Sequence, residues 1–140
     1  MARRTAQRKR KGAVIVEFAL VVPFLLLIVI GIIDFSGAYA QLNTINASLR
    51  EAARYGAATT RPDTLHAIIK GEAVRFSTAF GRPMDTARVT VFTDAYEVRV
   101  SVTNYPITIP TLGPFLGLVG LDTLRVTRAA SFRWERTGMP

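Results

Sequence analysis

The 140-residue chain contains no cysteine and one histidine, His66. Without thiols there is no disulfide, no thiolate nucleophile, no thiolate-held zinc or iron–sulfur cluster, and no lipid-modified N-terminal cysteine. A catalytic triad or a histidine-rich metal site would have to be built on one imidazole. His66 falls near Ile69 and Lys70 at helical spacing, so it reads as a surface or core-rim residue. No metal cluster, phosphate-cradling glycine loop or pair of adjacent carboxylates stands out, and the expectation is a non-enzyme with no catalytic residue, metal or cofactor. Acidic residues are also few, 10 against 18 Lys and Arg, for a net charge of +8. That excess is local. Arg3, Arg4, Arg8, Lys9, Arg10 and Lys11 precede the first acid, Glu17, and the remainder of the chain is nearly balanced. A basic leader without aromatic residues reads as a topology signal rather than a nucleic-acid surface, so nucleic acid is not an expected partner.

The leader opens into a long apolar run. Residues 13–33 read AVIVEFALVVPFLLLIVIGII. As a helix, 21 residues span ~31 Å, about one bilayer core. Positive charge before the run and Asp34 after it place the N-terminus in the cytoplasm and the rest outside. Three residues interrupt the run. Pro23 leaves the Ala19 carbonyl without its usual partner, which predicts a bend or local melting. Gly31 is a second weak point. Glu17 costs at least ~2.5–3.5 kcal/mol inside hydrocarbon, so a partner or a task is expected for it, although a position this near the interface would also let it snorkel.

Gly12 closes the leader and Glu17 stands five residues later, in RKRKG-AVIVEF. This looks like a type IV prepilin processing site, which implies a prepilin peptidase that cuts between Gly12 and Ala13. The new Ala13 amine would then meet the Glu17 carboxylate of a neighbouring subunit, a pairing much stronger in low dielectric than in water. A competing site exists: Ala38-Tyr39-Ala40 has the A-x-A form of ordinary signal peptidase cleavage, but its apolar region would be unusually long and would contain Glu17 and Pro23.

The stretch GAVIVEFALVVPFLLLIVIGIIDFSGAYAQLNTINASLREAARYGA is similar to the N-terminal signature of the TadE-like family of the tight-adherence pilus system. The shared features are EFAL after the glycine, a proline within the span, a G-x-x-DF exit from Gly31 to Phe35 and a downstream AAR-x-GA. The resemblance implies a minor pilin or pseudopilin of a tight-adherence (Flp-type) type IV pilus. Gly12 and Ala13 would be its processing residues, and Glu17, Phe18 and Pro23 its assembly residues. The implied partners are the prepilin peptidase, other pilins and pseudopilins, the assembly platform of the inner membrane, and lipid. The implied location is the inner membrane, with incorporation in the surface pilus as a further stage. The alternative is an uncleaved signal-anchored, or signal-peptidase-released, extracytoplasmic binding protein.

Beyond the run, Tyr39, Leu42, Ile45, Leu49, Ala52, Ala53 and Gly56 recur at three- and four-residue spacing, with Gln41, Asn43, Asn46, Ser48, Arg50 and Glu51 largely off that face. This predicts one helix from about 13 to 58. Pro62-Asp63 marks a new helix start, and Leu65, Ile68, Ile69, Glu72, Ala73, Phe76 and Phe80 carry it to about Phe80, where Gly81-Arg82-Pro83 stops it. The period then changes to two. Arg88–Thr93 and Tyr96–Thr103 alternate and suit a hairpin around Thr93-Asp94-Ala95, and Leu124–Trp134 supplies a third strand. Between the last two lies YPITIPTLGPFLGLVGLD, too short and too rich in proline and glycine for a second span. Its apolar residues Ile107, Ile109, Leu112, Phe115, Leu116, Leu118 and Val119 read either as a core-covering loop or short helix, or as an exposed patch for another subunit or the membrane surface.

The expected fold class is α+β: a long N-terminal transmembrane, pilin-like helix, a second amphipathic helix and a small antiparallel sheet of about three strands. The expected divisions are a leader at 1–12, the span at 13–34, the outer half of the long helix at 35–60, and a C-terminal extracytoplasmic domain at 61–140.

Overall fold

The structure is a computed structural model that describes residues 2–59, 65–94, 96–120 and 123–134. Its first element is a single helix, α1 (Ala2–Ala58), which ends where the sequence pattern predicts. The helix runs through Pro23 without interruption, so the expected local melting is not observed. A proline deletes one hydrogen bond, and the uninterrupted turns on either side keep the backbone helical. From Gly12 to Ala58 this helix is long and apolar enough to cross a membrane, and none of its most apolar stretch is buried.

The helix α2 (Leu65–Ala79) buries Leu65, Ile69, Ala73 and Ser77, a strict four-residue stripe. Ser77 is accommodated in the core by its hydrogen bonds. Its hydroxyl donates to the Val74 carbonyl at 2.8 Å and accepts from the Met84 N–H at 3.0 Å. The predicted stop is present, with Gly81 at φ +67° just past the helix. Phe80, expected on the apolar face, instead lies beyond the helix end, exposed, with its ring 5.1 Å from that of Phe76. The predicted start at Pro62-Asp63 lies outside the described residues.

Three antiparallel strands complete the fold: β1 (Val89–Thr93), β2 (Glu97–Thr108) and β3 (Thr123–Arg133), in the order β1-β2-β3. The fold is therefore α+β, with a long apolar helix, a second helix and a three-stranded meander. In β2, Val98, Val100 and Val102 are fully buried and form the floor on which α1 packs. Tyr96, expected to share their face, is exposed just before the strand. The hairpin turn is organised by Asp94, whose Oδ1 accepts the N–H groups of Tyr96 and Glu97, both at 2.7 Å. The Trp134 indole closes the same corner by donating to the Asp94 carbonyl at 2.8 Å.

β2 is longer than its alternation predicts. Val102 pairs with Arg128, but the next pair is Tyr105 with Val126, so β2 carries one extra residue there. Asn104 takes a left-handed φ of 55°, a conformation asparagine tolerates better than most residues. Its carbonyl accepts from the Arg88 guanidinium at 2.8 Å. The bulge shifts the inward phase from even to odd positions, so Ile107, only 1% exposed, faces the core. Pro106 fits in this extension because β1 has already ended opposite Val102, leaving β2 a partner on one side only.

On α1 the core face comprises Ile45, Leu49, Ala52, Ala53 and Ala57. Ser48 is also buried, its hydroxyl bonded to the Thr44 carbonyl at 2.7 Å, and is not off this face as the pattern suggests. Tyr39 is exposed, and not on it. Gly56 is the tightest crossing. A Cβ there would lie 2.8 Å from Ile69 Cγ1 and 3.1 Å from Val98 Cγ1, so α2 and β2 both approach through the missing side chain.

Candidate functional site

The sequence-predicted residues fall into two groups, one on the bare span and one where the sheet returns to it. On the span, Gly12 and Ala13 begin the apolar run and are exposed. Glu17 is exposed and forms no hydrogen bond or ion pair among the described residues. Phe18 projects beside it, and Pro23 is exposed two turns later. One helical turn separates Ala13 from Glu17, so the two lie on the same face of α1.

The second group is assembled by Asp34, the first charged residue after the run. Its carboxylate is buried and turned toward the segment that leaves β2. Oδ2 accepts the Leu112 N–H at 2.6 Å and the Thr111 N–H at 3.2 Å. Two turns further along α1, Gln41 makes a reciprocal amide pair with Thr108. Its Nε2 donates to the Thr108 carbonyl at 3.1 Å, and its Oε1 accepts the Thr108 N–H at 3.4 Å. The end of β2 and the adjoining loop are thus clasped to α1 by two polar side chains on one helix face. A buried carboxylate is tolerated here because backbone N–H groups satisfy it.

Below the clasp the loop forms a short helix, α3 (Gly113–Leu116), with Pro114 in its first turn and a left-handed Gly120 just beyond the next turn. A cleft of about 150 Å³ separates this segment from α1, lined by Gly31, Asp34, Phe35, Ala38, Ile109, Leu112, Leu116 and Leu124. The apolar patch read from the sequence is consequently divided. Ile107 belongs to the core. Ile109, Leu112 and Leu116 are half-buried against α1. Phe115 and Leu118 face outward, at 71% and 87% exposure. The Val119 side chain lies outside the described residues. His66, on the far side of the domain, is exposed and its Nε2 lies 3.0 Å from the Thr93 hydroxyl.

Sequence reasoning missed the two residues that make the clasp. Asp34 reads as a flanking charge and Gln41 as a polar residue off the packed face. The available signal was their spacing: Asp34, Ala38, Gln41 and Ile45 lie on one helix stripe at steps of four, three and four.

Residues 12–54 match the model of a family described as TadE-like protein. No curated protein and no solved structure matches the chain. The matched segment runs from Gly12, across Glu17 and Pro23, through Asp34 and Gln41, and into the buried alanines of the core. Over residues 12–54, the chain is similar to TadE-like proteins.

Proposed function

We infer that this protein is a membrane-anchored minor pilin or pseudopilin, processed between Gly12 and Ala13, that takes part in assembling a tight-adherence (Flp-type) pilus. Its N-terminus lies in the cytoplasm and its α+β domain on the far side of the inner membrane. The observation that carries this reading is an apolar helix with none of its most apolar stretch buried, bearing a lone carboxylate five residues after a leader glycine, within the segment that is TadE-like. A span that packs on nothing in its own chain is available to lipid and to neighbouring helices. Glu17 then neutralises the Ala13 amine of an adjacent subunit, and Phe18 and Pro23 shape the contact surface. The partners in this reading are the prepilin peptidase, other pilins and the assembly platform, and its role is structural, without a catalytic step.

The Ala38-Tyr39-Ala40 alternative fits less well. The motif lies inside continuous helix, Ala38 is buried, and cleavage after Ala40 would remove the Asp34 arm of the clasp. Mass spectrometry of the mature N-terminus separates the readings. A start at Ala13 is expected, whereas a start at Gln41, or an intact leader in cells with an active prepilin peptidase, overturns the proposal. Glu17→Ala is expected to insert normally and to lose co-purification with other pilins; unchanged pilus output would remove the amine pairing.

A further inference from the structure

The loop between β2 and β3 is held at one particular height on α1. Leu112 donates its N–H to Asp34, and its side chain reaches Gly31, whose Cβ position would lie 3.9 Å from Leu112 Cδ1. Gly31 belongs to the last turn of the apolar run, and at ~1.5 Å per residue it is about 4.5 Å nearer the membrane centre than Asp34. The loop therefore does not stand above the span; it descends alongside its final turn.

The segment at that height has no charge. Residues 109–120 read IPTLGPFLGLVG. Its large outward residues are apolar: Leu118, at 87%, is the most exposed of the large hydrophobic residues described, and Phe115 is at 71%. They continue a surface already presented by α1, where Ile32, Ile33 and Phe35 are exposed on the same turns. Tyr39, one turn above Phe35, adds an amphipathic ring where interfacial aromatics concentrate. The backbone is braced for this placement by Asp34, by Pro114 at the start of α3 and by the left-handed Gly120.

We propose that the α3 loop is a second membrane contact, with Phe115 and Leu118 inserted at the headgroup–acyl boundary of the outer face of the bilayer that α1 spans. The occupant is lipid because the helix on which the loop is clasped fixes its depth, and at that depth an uncovered apolar surface meets acyl chains. The consequence is orientational. A domain tethered by one helix would rotate and tilt freely, whereas two contact points on one side of α1 fix which face of the sheet is presented to an incoming subunit.

The proposal rests on reading α1 as a membrane span, and the experiment separates the two. Because the chain has no cysteine, single-cysteine variants carry one spin label each. Phe115→Cys and Leu118→Cys, both at exposed positions, are labelled in the full chain. Leu26→Cys serves as the mid-span reference and Ala67→Cys as the exposed reference. Each is reconstituted at low density in phosphatidylethanolamine–phosphatidylglycerol vesicles, and collisions with oxygen and with a water-soluble nickel chelate are compared by EPR. The oxygen-to-nickel ratio at positions 115 and 118 is expected to lie several-fold above that at 67 and below that at 26. Ratios at 115 and 118 equal to that at 67, with 26 still lipid-embedded, overturn the loop insertion alone. A water-like ratio at 26 overturns the span itself. Protection of 115 and 118 that appears only at high protein density, with dipolar broadening, assigns the surface to another copy and also overturns lipid insertion.

Discussion

Two stretches of α1 have the same backbone and opposite relations between apolarity and burial. From Ala13 to Ile33 the helix is the most apolar part of the chain, and no residue in it is buried. From Ile45 to Ala57 it is studded with polar residues, and Leu49, Ala52 and Ala53 are completely enclosed. Hydrophobicity is a statement about transfer out of water, and the receiving medium is not specified by the residue. In the first stretch, on the proposed reading, the medium is a bilayer, and long aliphatic side chains point outward in every direction. In the second it is the protein's own sheet, so small residues open room for α2 and β2 to approach. Asp34 and Gln41 mark the change of regime.

The contrast breaks most visibly under truncation. Leu49→Ala is expected to cost ~2–5 kcal/mol of domain stability, and Leu26→Ala less than ~0.5 kcal/mol, in denaturant titrations of the full chain in detergent monitored by Trp134 fluorescence. A comparable loss for Leu26→Ala would mean that the span packs against its own domain. Two glycines of α1, one in the packed stretch and one before it, also respond oppositely to an added methyl. Gly56→Ala forces a Cβ against Ile69 and Val98 and is expected to cost ~1–3 kcal/mol, whereas Gly37→Ala, with open space around it, gains about 0.5–1 kcal/mol of helix stability.

At the junction, Asp34→Ala removes the acceptor for the Thr111 and Leu112 amides. Hydrogen exchange at these two positions should rise to that of unprotected loop amides, while Val98, Val100 and Val102 keep their protection. Loss of protection throughout β2 would show that the clasp supports the whole sheet. The smallest effect is expected at the far corner. The Tyr96 and Glu97 N–H groups hold the Asp94 carboxyl below its ordinary range. A lowered native pKa adds stability that is complete above the unfolded value of ~3.9 and is lost as pH falls through the native value. Acidification below about pH 4 should therefore loosen the β1–β2 turn and shift Trp134 emission, and Asp94→Asn, which keeps the acceptor without titrating, should flatten that response.

Much of this fold is legible from period alone. The span, the end of α1 at Ala58, the stop at Gly81 and the three strands are set by apolar spacing and turn chemistry. The part that escapes is where the period breaks. The bulge at Asn104 inverts the inward phase, so an alternation traced from Val98 loses the strand at Thr103, although β2 continues to Thr108 and buries Ile107 on the new phase. Tyr96 and Phe80 mislead for a related reason: each continues a pattern one step past the end of its element, outside the core. Ser77 and Ser48 are buried because local carbonyls accept their hydroxyl protons, a compensation that hydropathy does not register.

By itself the sequence determined that there is one long apolar helix, that a basic segment precedes it with Gly12 and Glu17 at its start, and that a second helix and three strands come after it. These are properties of local spacing and charge order, which survive without knowledge of contacts. Only the tertiary structure decided where the apolar loop between β2 and β3 sits. Asp34 and Gln41 are 77 and 67 residues from the backbone groups they bind. That pairing sets the height of the loop on α1, turns Ile109, Leu112 and Leu116 inward, and leaves Phe115 and Leu118 facing out at the edge of the span. The depth of an apolar residue relative to a membrane depends on what it is tied to, and the tie here is a long-range hydrogen bond rather than a neighbour in the chain.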